Sequence, residues 1–101
     1  MKNRKKRILL ADNEVNLTSV FADFLGDKDY VVDVVLEGNK VLESLHASHY
    51  DLLVMDLNLP SKNGFDILRE LRHGSDIPVI ILTARSARED IIRAFELGCD
   101  D

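Results

Sequence analysis

Short apolar runs alternate with amphipathic stretches along the whole chain. Arg7–Ala11 is mostly apolar and stops at Asp12 and Asn13, the pattern of a buried strand delivered to helix-capping residues. From Glu14 to Leu25, the residues Leu17, Val20, Phe21, Phe24 and Leu25 recur at helical spacing, and Gly26 supplies a C-terminal stop. Val31–Leu36 is apolar apart from Asp33 and rich in valine, which predicts a second strand; Gly38 then opens a segment with Val41, Leu42 and Leu45 on one helical face. Leu52, Leu53, Val54 and Met55 form an unbroken apolar run that ends at Asp56, and Pro60, Ser61, Lys62, Asn63 and Gly64 follow as a turn. Phe65, Ile67, Leu68 and Leu71 mark a third helix and Pro78–Leu82 a fourth strand ending at Thr83. A fourth helix is predicted from about Ser86 to Leu97, with Ile91, Ile92, Phe95 and Leu97 as its apolar face and Gly98 as its stop.

Four strands apolar on both faces, each followed by a helix, predict a parallel sheet covered on both sides by right-handed crossovers, a doubly wound α/β fold. A chain of 101 residues closes one such core and not two, so residues 1–101 are read as a single domain. No uninterrupted apolar run, Val79–Leu82 included, exceeds four residues, far short of a membrane span, and no signal-peptide core is present beyond the short Ile8–Ala11 stretch, so the expected location is the cytoplasm. A net charge of −5 argues against direct nucleic-acid binding by the domain; the basic run Lys2, Arg4, Lys5, Lys6, Arg7 reads as a solvated tail leading into the first strand. The single cysteine, Cys99, has no partner for a disulfide and is read as a packing residue.

In open parallel sheets, ligands sit beyond the carboxyl ends of the strands, near the point where strand order reverses. The polar residues here follow that rule: Asp12 and Asn13 come after the first strand, Asp56 ends the third, and Thr83 ends the fourth. Taken singly, Asp12, Asn13 and Thr83 are ordinary helix caps. Capping does not account for Asp56, which ends the most hydrophobic strand four residues before Pro60 and not directly before a helix. Carboxylates gathered at one rim repel one another unless a cation offsets them, and carboxylate, amide and carbonyl oxygens suit Mg²⁺. Asp56 is then a nucleophile of the aspartyl-phosphate type, with Thr83 offering a hydroxyl to the transferred group and the small Ala84 leaving room beside it.

Val54-Met55-Asp56-Leu57-Asn58-Leu59-Pro60 with Gly64 four positions on, Ile80-Ile81-Leu82-Thr83-Ala84, and the final Ala94-Phe95-Glu96-Leu97-Gly98-Cys99-Asp100-Asp101 together resemble the receiver domain of bacterial two-component response regulators, in order and over nearly the whole chain. The resemblance implies a flavodoxin-like sheet of strand order 2-1-3-4-5. It implies phosphorylation of Asp56 by the phosphohistidine of a sensor histidine kinase or phosphotransfer protein. Mg²⁺ would be held by the acidic residues after the first strand, by Asp56 and by the backbone carbonyl of Asn58. Thr83 would reorient toward the phosphoryl group, and the surface around the fourth helix would pass the signal to an effector domain or output protein. Such a module is not a conventional enzyme; at most it catalyses its own aspartyl phosphorylation and dephosphorylation.

Two departures from the family pattern matter. Where members carry an acidic pair after the first strand, this chain reads Asp12-Asn13, with Asn13 at the position that ligates the metal directly, so weaker metal binding is expected. Members also continue into a fifth strand bearing a switch aromatic and a lysine, then into a fifth helix, whereas this sequence ends at Asp101. Read as a C-terminally incomplete receiver of strand order 2-1-3-4, it is expected to phosphorylate and switch less well and to expose the fourth strand as an apolar edge, favouring a homodimer or strand-exchanged assembly. The alternative function is a phosphorylation-independent pseudo-receiver that acts as a protein-interaction or dimerisation module. A small flavin-binding enzyme of similar topology is set aside, because Asp12-Asn13-Glu14 would repel a phosphate after the first strand.

Overall fold

The computed structural model describes residues 5–82 together with Ile92, Glu96, Leu97, Gly98 and Asp100. Its elements run β1 (Arg7–Ala11), α1 (Val15–Gly26), β2 (Val31–Val35), a one-turn 3₁₀ helix (Gly38–Lys40), α2 (Val41–Ala47), β3 (Leu52–Asp56), α3 (Gly64–Leu71) and β4 (Val79–Leu82). The strands form one sheet of order β2-β1-β3-β4, and every pair in it is parallel. This is the doubly wound architecture expected from the alternation of elements, with the flavodoxin-like strand order that the resemblance implies. Most of the predicted fourth helix, Ser86–Leu97, lies outside the described residues; of those that are described, Ile92 and Glu96 are helical.

Alternation along the strands sorts their side chains into two unequal cores. Leu9, Ala11, Leu53, Met55 and Val79 face α2 and α3, where they join Val41, Phe65, Ile67, Leu68 and Leu71. Ile8, Leu10 and Val54 face the other way, with Phe21 and Leu25 of α1 packed against them. The first face collects twelve buried residues and the second three, so the hydrophobic stabilisation of the described residues is concentrated on the α2/α3 side.

That imbalance revises the reading of α1. The five apolar residues at helical spacing do not form one stripe: Thr18, Phe21 and Leu25 turn toward the sheet, whereas Leu17, Val20 and Phe24 are 44%, 67% and 59% exposed. The two stripes differ by one residue step, about 100° of rotation about the helix axis. One sheet face can cover only one of them.

The ends of the elements are set by specific hydrogen bonds, some local and some between distant segments. Asn63 caps α3 by accepting the Asp66 N–H at 3.0 Å, and Gly98, the expected stop, has φ +107°, a conformation in which a side chain would be strained. Arg72, just past α3, donates to the carbonyls of Gly98, Ser75 and Ile77 and to the Asp100 carboxylate. Asp100 in turn brackets the start of β4, its N–H donating to the Val79 carbonyl at 2.8 Å and its carboxylate accepting the Val79 N–H at 2.9 Å.

Candidate functional site

The order β2-β1-β3-β4 places the reversal of chain progression between β1 and β3, so the crevice beyond their carboxyl ends is where a ligand is expected. Ala11 is in register with Met55, which makes Asp12 and Asp56 the next pair along two neighbouring strands. Adjacent strands lie about 5 Å apart, so the two carboxylates stand side by side at the rim.

Both are held by the same local device. Asp12 follows β1, its N–H extends the ladder by donating to the Val35 carbonyl at 3.1 Å, and its Oδ1 accepts the Glu14 N–H at 3.0 Å. Asp56 ends β3, and its Oδ1 accepts the Asn58 N–H at 3.1 Å. Each is an Asx turn, in which a carboxylate oxygen engages the backbone two residues on and fixes its own direction. Asp12 is only 4% exposed, a costly position for a charge without such a partner. Asp56 is half-buried, at the boundary between core and solvent. One oxygen of each carboxylate is engaged by a turn, which leaves the other for a ligand.

Asn13 and Asn58 are exposed on the same rim, adjacent in sequence to Asp12 and two residues beyond Asp56. Leu82, the last residue of β4, is in register with Asp56. Thr83 and Ala84, which follow it, lie outside the described residues. Among the described residues, no group of three or more His, Cys, Asp or Glu side chains gathers to hold a metal. The donor set at the rim is instead two carboxylates supplemented by amide and carbonyl oxygens. That composition fits Mg²⁺, which needs few protein oxygens and keeps several waters, and does not fit zinc.

The loop between β3 and α3 is more constrained than a turn-rich sequence conveys. Leu57 and Leu59 are buried on either side of exposed Asn58, and Gly64 donates its N–H to the Leu57 carbonyl at 2.9 Å. A Cβ at Gly64 would stand 2.8 Å from the Leu57 Cα and 3.0 Å from the Asp56 carbonyl, so this close approach of α3 to the end of β3 requires glycine.

A family model described as the response regulator receiver domain matches residues 8–101. The chain belongs to this family. The receiver is 42% identical over 96 residues to the transcriptional regulatory protein CiaR of Streptococcus pneumoniae, a match covering 94% of this chain and 42% of that protein. It is also 42% identical over 95 residues to the transcriptional regulatory protein CpxR of Klebsiella pneumoniae, covering 94% of this chain and 40% of that protein. The chain thus spans about two-fifths of the length of these curated relatives. Among solved structures it resembles the BeF3-activated receiver domain of Klebsiella pneumoniae RstA, with a TM-score of 0.91, 27% identity and coverage of 95% of this chain and 82% of that one. The non-phosphorylated HemR receiver domain of Leptospira biflexa gives a TM-score of 0.87 and 31% identity, covering 95% of this chain and 78% of that one.

Two features of the receiver lie away from the rim. A cavity of about 670 Å³ opens at the opposite end of the sheet between α2 and α3, lined by Leu42, Leu45, His49, Tyr50, Leu71 and Ile77 among others. It shares no residue with the rim, and the topological rule for open sheets favours the shallow rim over the larger cavity. Nearby, the Asp33 carboxylate accepts from the Tyr50 hydroxyl at 2.7 Å and from Arg7 at 3.0 Å. These contacts hold the Asp33 pKa below the ordinary carboxylate value, while burial, reinforced by Asp33, raises that of Tyr50. This is a structural tie between β1, β2 and the entry to β3. No helix among the described residues is long and apolar enough to cross a membrane.

Proposed function

We propose that this receiver accepts a phosphoryl group on Asp56, with magnesium bound at the rim, from the phosphohistidine of a sensor histidine kinase or phosphotransfer protein. The observation that carries the reading is the pair of Asx-turned carboxylates, Asp12 and Asp56, on neighbouring strand ends at the switch point. A carboxylate oxygen of Asp56 attacks phosphorus as the phosphorus–nitrogen bond breaks, and the electron pair returns to the imidazole nitrogen of the donor. The Asn58 N–H holds the other Asp56 oxygen and so presents the attacking one toward the rim. Asp12, Asn13, Asp56 and the Asn58 carbonyl are the oxygens that would hold Mg²⁺, which when bound neutralises charge on the phosphoryl oxygens. Thr83 and Ala84 are assigned, on their position after β4, to contact the transferred group.

The relatives, named as transcriptional regulatory proteins, support an effector domain or output protein as the recipient of the signal, passed through the surface around the fourth helix. The proposed setting is the cytoplasm, with no direct nucleic-acid contact by this acidic domain. Self-association is part of the proposal; light scattering that finds only monomer at high concentration removes this part.

Beryllofluoride or acetyl phosphate with Mg²⁺ is expected to shift the amide resonances around Asp56, and acetyl phosphate to add one phosphate by mass spectrometry, with no response in Asp56→Asn. A response that survives in Asp56→Asn refutes the assignment. Asn13, which brings an amide where a carboxylate is expected, favours a second reading: a pseudo-receiver whose partner binding ignores both magnesium and phosphodonor.

A further inference from the structure

The loop that carries Asn58 is braced from outside by the turn that precedes α2. Gly38 donates its N–H to the Pro60 carbonyl at 2.8 Å, and the same carbonyl accepts the Lys62 N–H at 2.8 Å. The second of these bonds spans two residues about Ser61, whose φ is +67°. That combination is a γ-turn with positive φ, a rare and strained form that persists only where its surroundings impose it. The imposing contacts are present. The Asn39 N–H donates to the Ser61 hydroxyl at 3.2 Å, and that hydroxyl donates to the Asn39 side-chain oxygen at 2.9 Å. Gly38 is buried against the loop so closely that a Cβ there would lie 1.8 Å from the Lys62 carbonyl oxygen.

We infer that Gly38, Asn39 and Ser61 are positioning residues for phosphoryl acceptance: they clasp the strained turn at Ser61 and so fix the Asn58 backbone against Asp56. The inference rests on the acceptor reading above. The loop is anchored at its start by the side chains of Leu57 and Leu59 and at its end by Gly64, and the Lys62 ammonium pairs with the Glu70 carboxylate of α3; the hydrogen bonds from outside the loop to the Pro60 carbonyl and the Ser61 hydroxyl come from Gly38 and Asn39. Without the clasp the γ-turn relaxes, and the Asn58 carbonyl, two residues before Pro60, loses its preset direction. Metal ligation then has to order the loop as well as bind.

The test is the Mg²⁺ concentration at half-saturation, read from the Asp56 and Asn58 amide shifts, alongside urea unfolding without metal. Ser61→Gly removes the hydroxyl while relieving the positive φ, and Asn39→Ala removes the side-chain acceptor. Each is expected to raise the half-saturating concentration about two- to fivefold with the metal-free unfolding midpoint not lowered in Ser61→Gly. The double variant should be no worse than the weaker single, since both delete one shared contact. Asn39→Asp, which keeps an acceptor oxygen, should bind nearly as the parent does, and Gly38→Ala should show the largest loss. A parent that responds to Mg²⁺ while Ser61→Gly and Asn39→Ala match it overturns the inference alone, as do strictly multiplicative effects in the double variant. A parent with no response at Asp56 overturns the acceptor reading and this inference together.

Discussion

Replacing Arg72 with alanine should cost more than any other single surface-reaching change in the described structure, because one guanidinium ties the end of α3 to two separate segments. Its Nε donates to the Gly98 carbonyl at 2.8 Å, and its Nη1 to the carbonyls of Ser75 at 3.1 Å and Ile77 at 2.8 Å. Hydrogen bonds from a charged donor each contribute about 1.5–3 kcal/mol. Simple addition overstates the total, since the three share one rigid fork and water can reach part of the site once the side chain is gone. The Arg72–Asp100 contact at 3.2 Å, in which the Asp100 side chain is mostly exposed, adds at most about 1 kcal/mol. A net loss of roughly 2–4 kcal/mol is expected, a large share of the stability of a domain this size. Urea unfolding followed by far-ultraviolet circular dichroism should show a lower midpoint with an unchanged slope. Arg72→Lys should recover little, because a point ammonium cannot meet carbonyls on two segments at once. A loss below about 1 kcal/mol, or a lysine variant as stable as the parent, would refute the idea that the fork geometry is what joins α3 to Gly98 and Ile77.

Further outcomes follow from the same structure. Asn13→Asp should tighten Mg²⁺ binding by about tenfold, as a full charge replaces an amide dipole beside Asp12, and an unchanged titration would remove Asn13 from the metal site. Because the Asp33 pKa is lowered on folding, its contribution is complete above the ordinary aspartate value of about 4 and drains away as the pH falls through the lowered one. The raised Tyr50 pKa acts in the opposite sense, its contribution being complete below about 10 and lost as the pH rises through the raised value. Urea midpoints across pH should therefore show a plateau, with the acid limb weakened in Asp33→Asn and the alkaline limb removed in Tyr50→Phe; identical profiles in parent and variants would rule the network out. Gly64→Ala should displace the loop at Leu57 and reduce both stability and Mg²⁺ response, and a variant with parental behaviour in both would show that the close approach is not required.

The alternation of apolar runs and amphipathic helices was enough to assign the four strands, the first three helices and their parallel arrangement. Leu53–Met55 is apolar on both faces and is buried on both, and Phe65, Ile67, Leu68 and Leu71 form the inner face of α3 as their spacing requires. Strand ends were legible for the same reason: a carboxylate cannot continue a buried strand, so Asp12 and Asp56 mark the rim. What spacing could not supply was orientation and long-range contact. Leu17, Val20 and Phe24 have the same hydrophobicity as Phe21 and Leu25, and only the angle at which α1 meets the sheet decided which set is covered. The Arg72 fork and the Gly38–Asn39 clasp on Ser61 join residues up to 28 positions apart through single hydrogen bonds, which leave no periodic trace in a sequence. Periodicity records burial because burial recurs along an element. A contact made once, between two loops brought together by the fold, exists only after the strands have been laid in order.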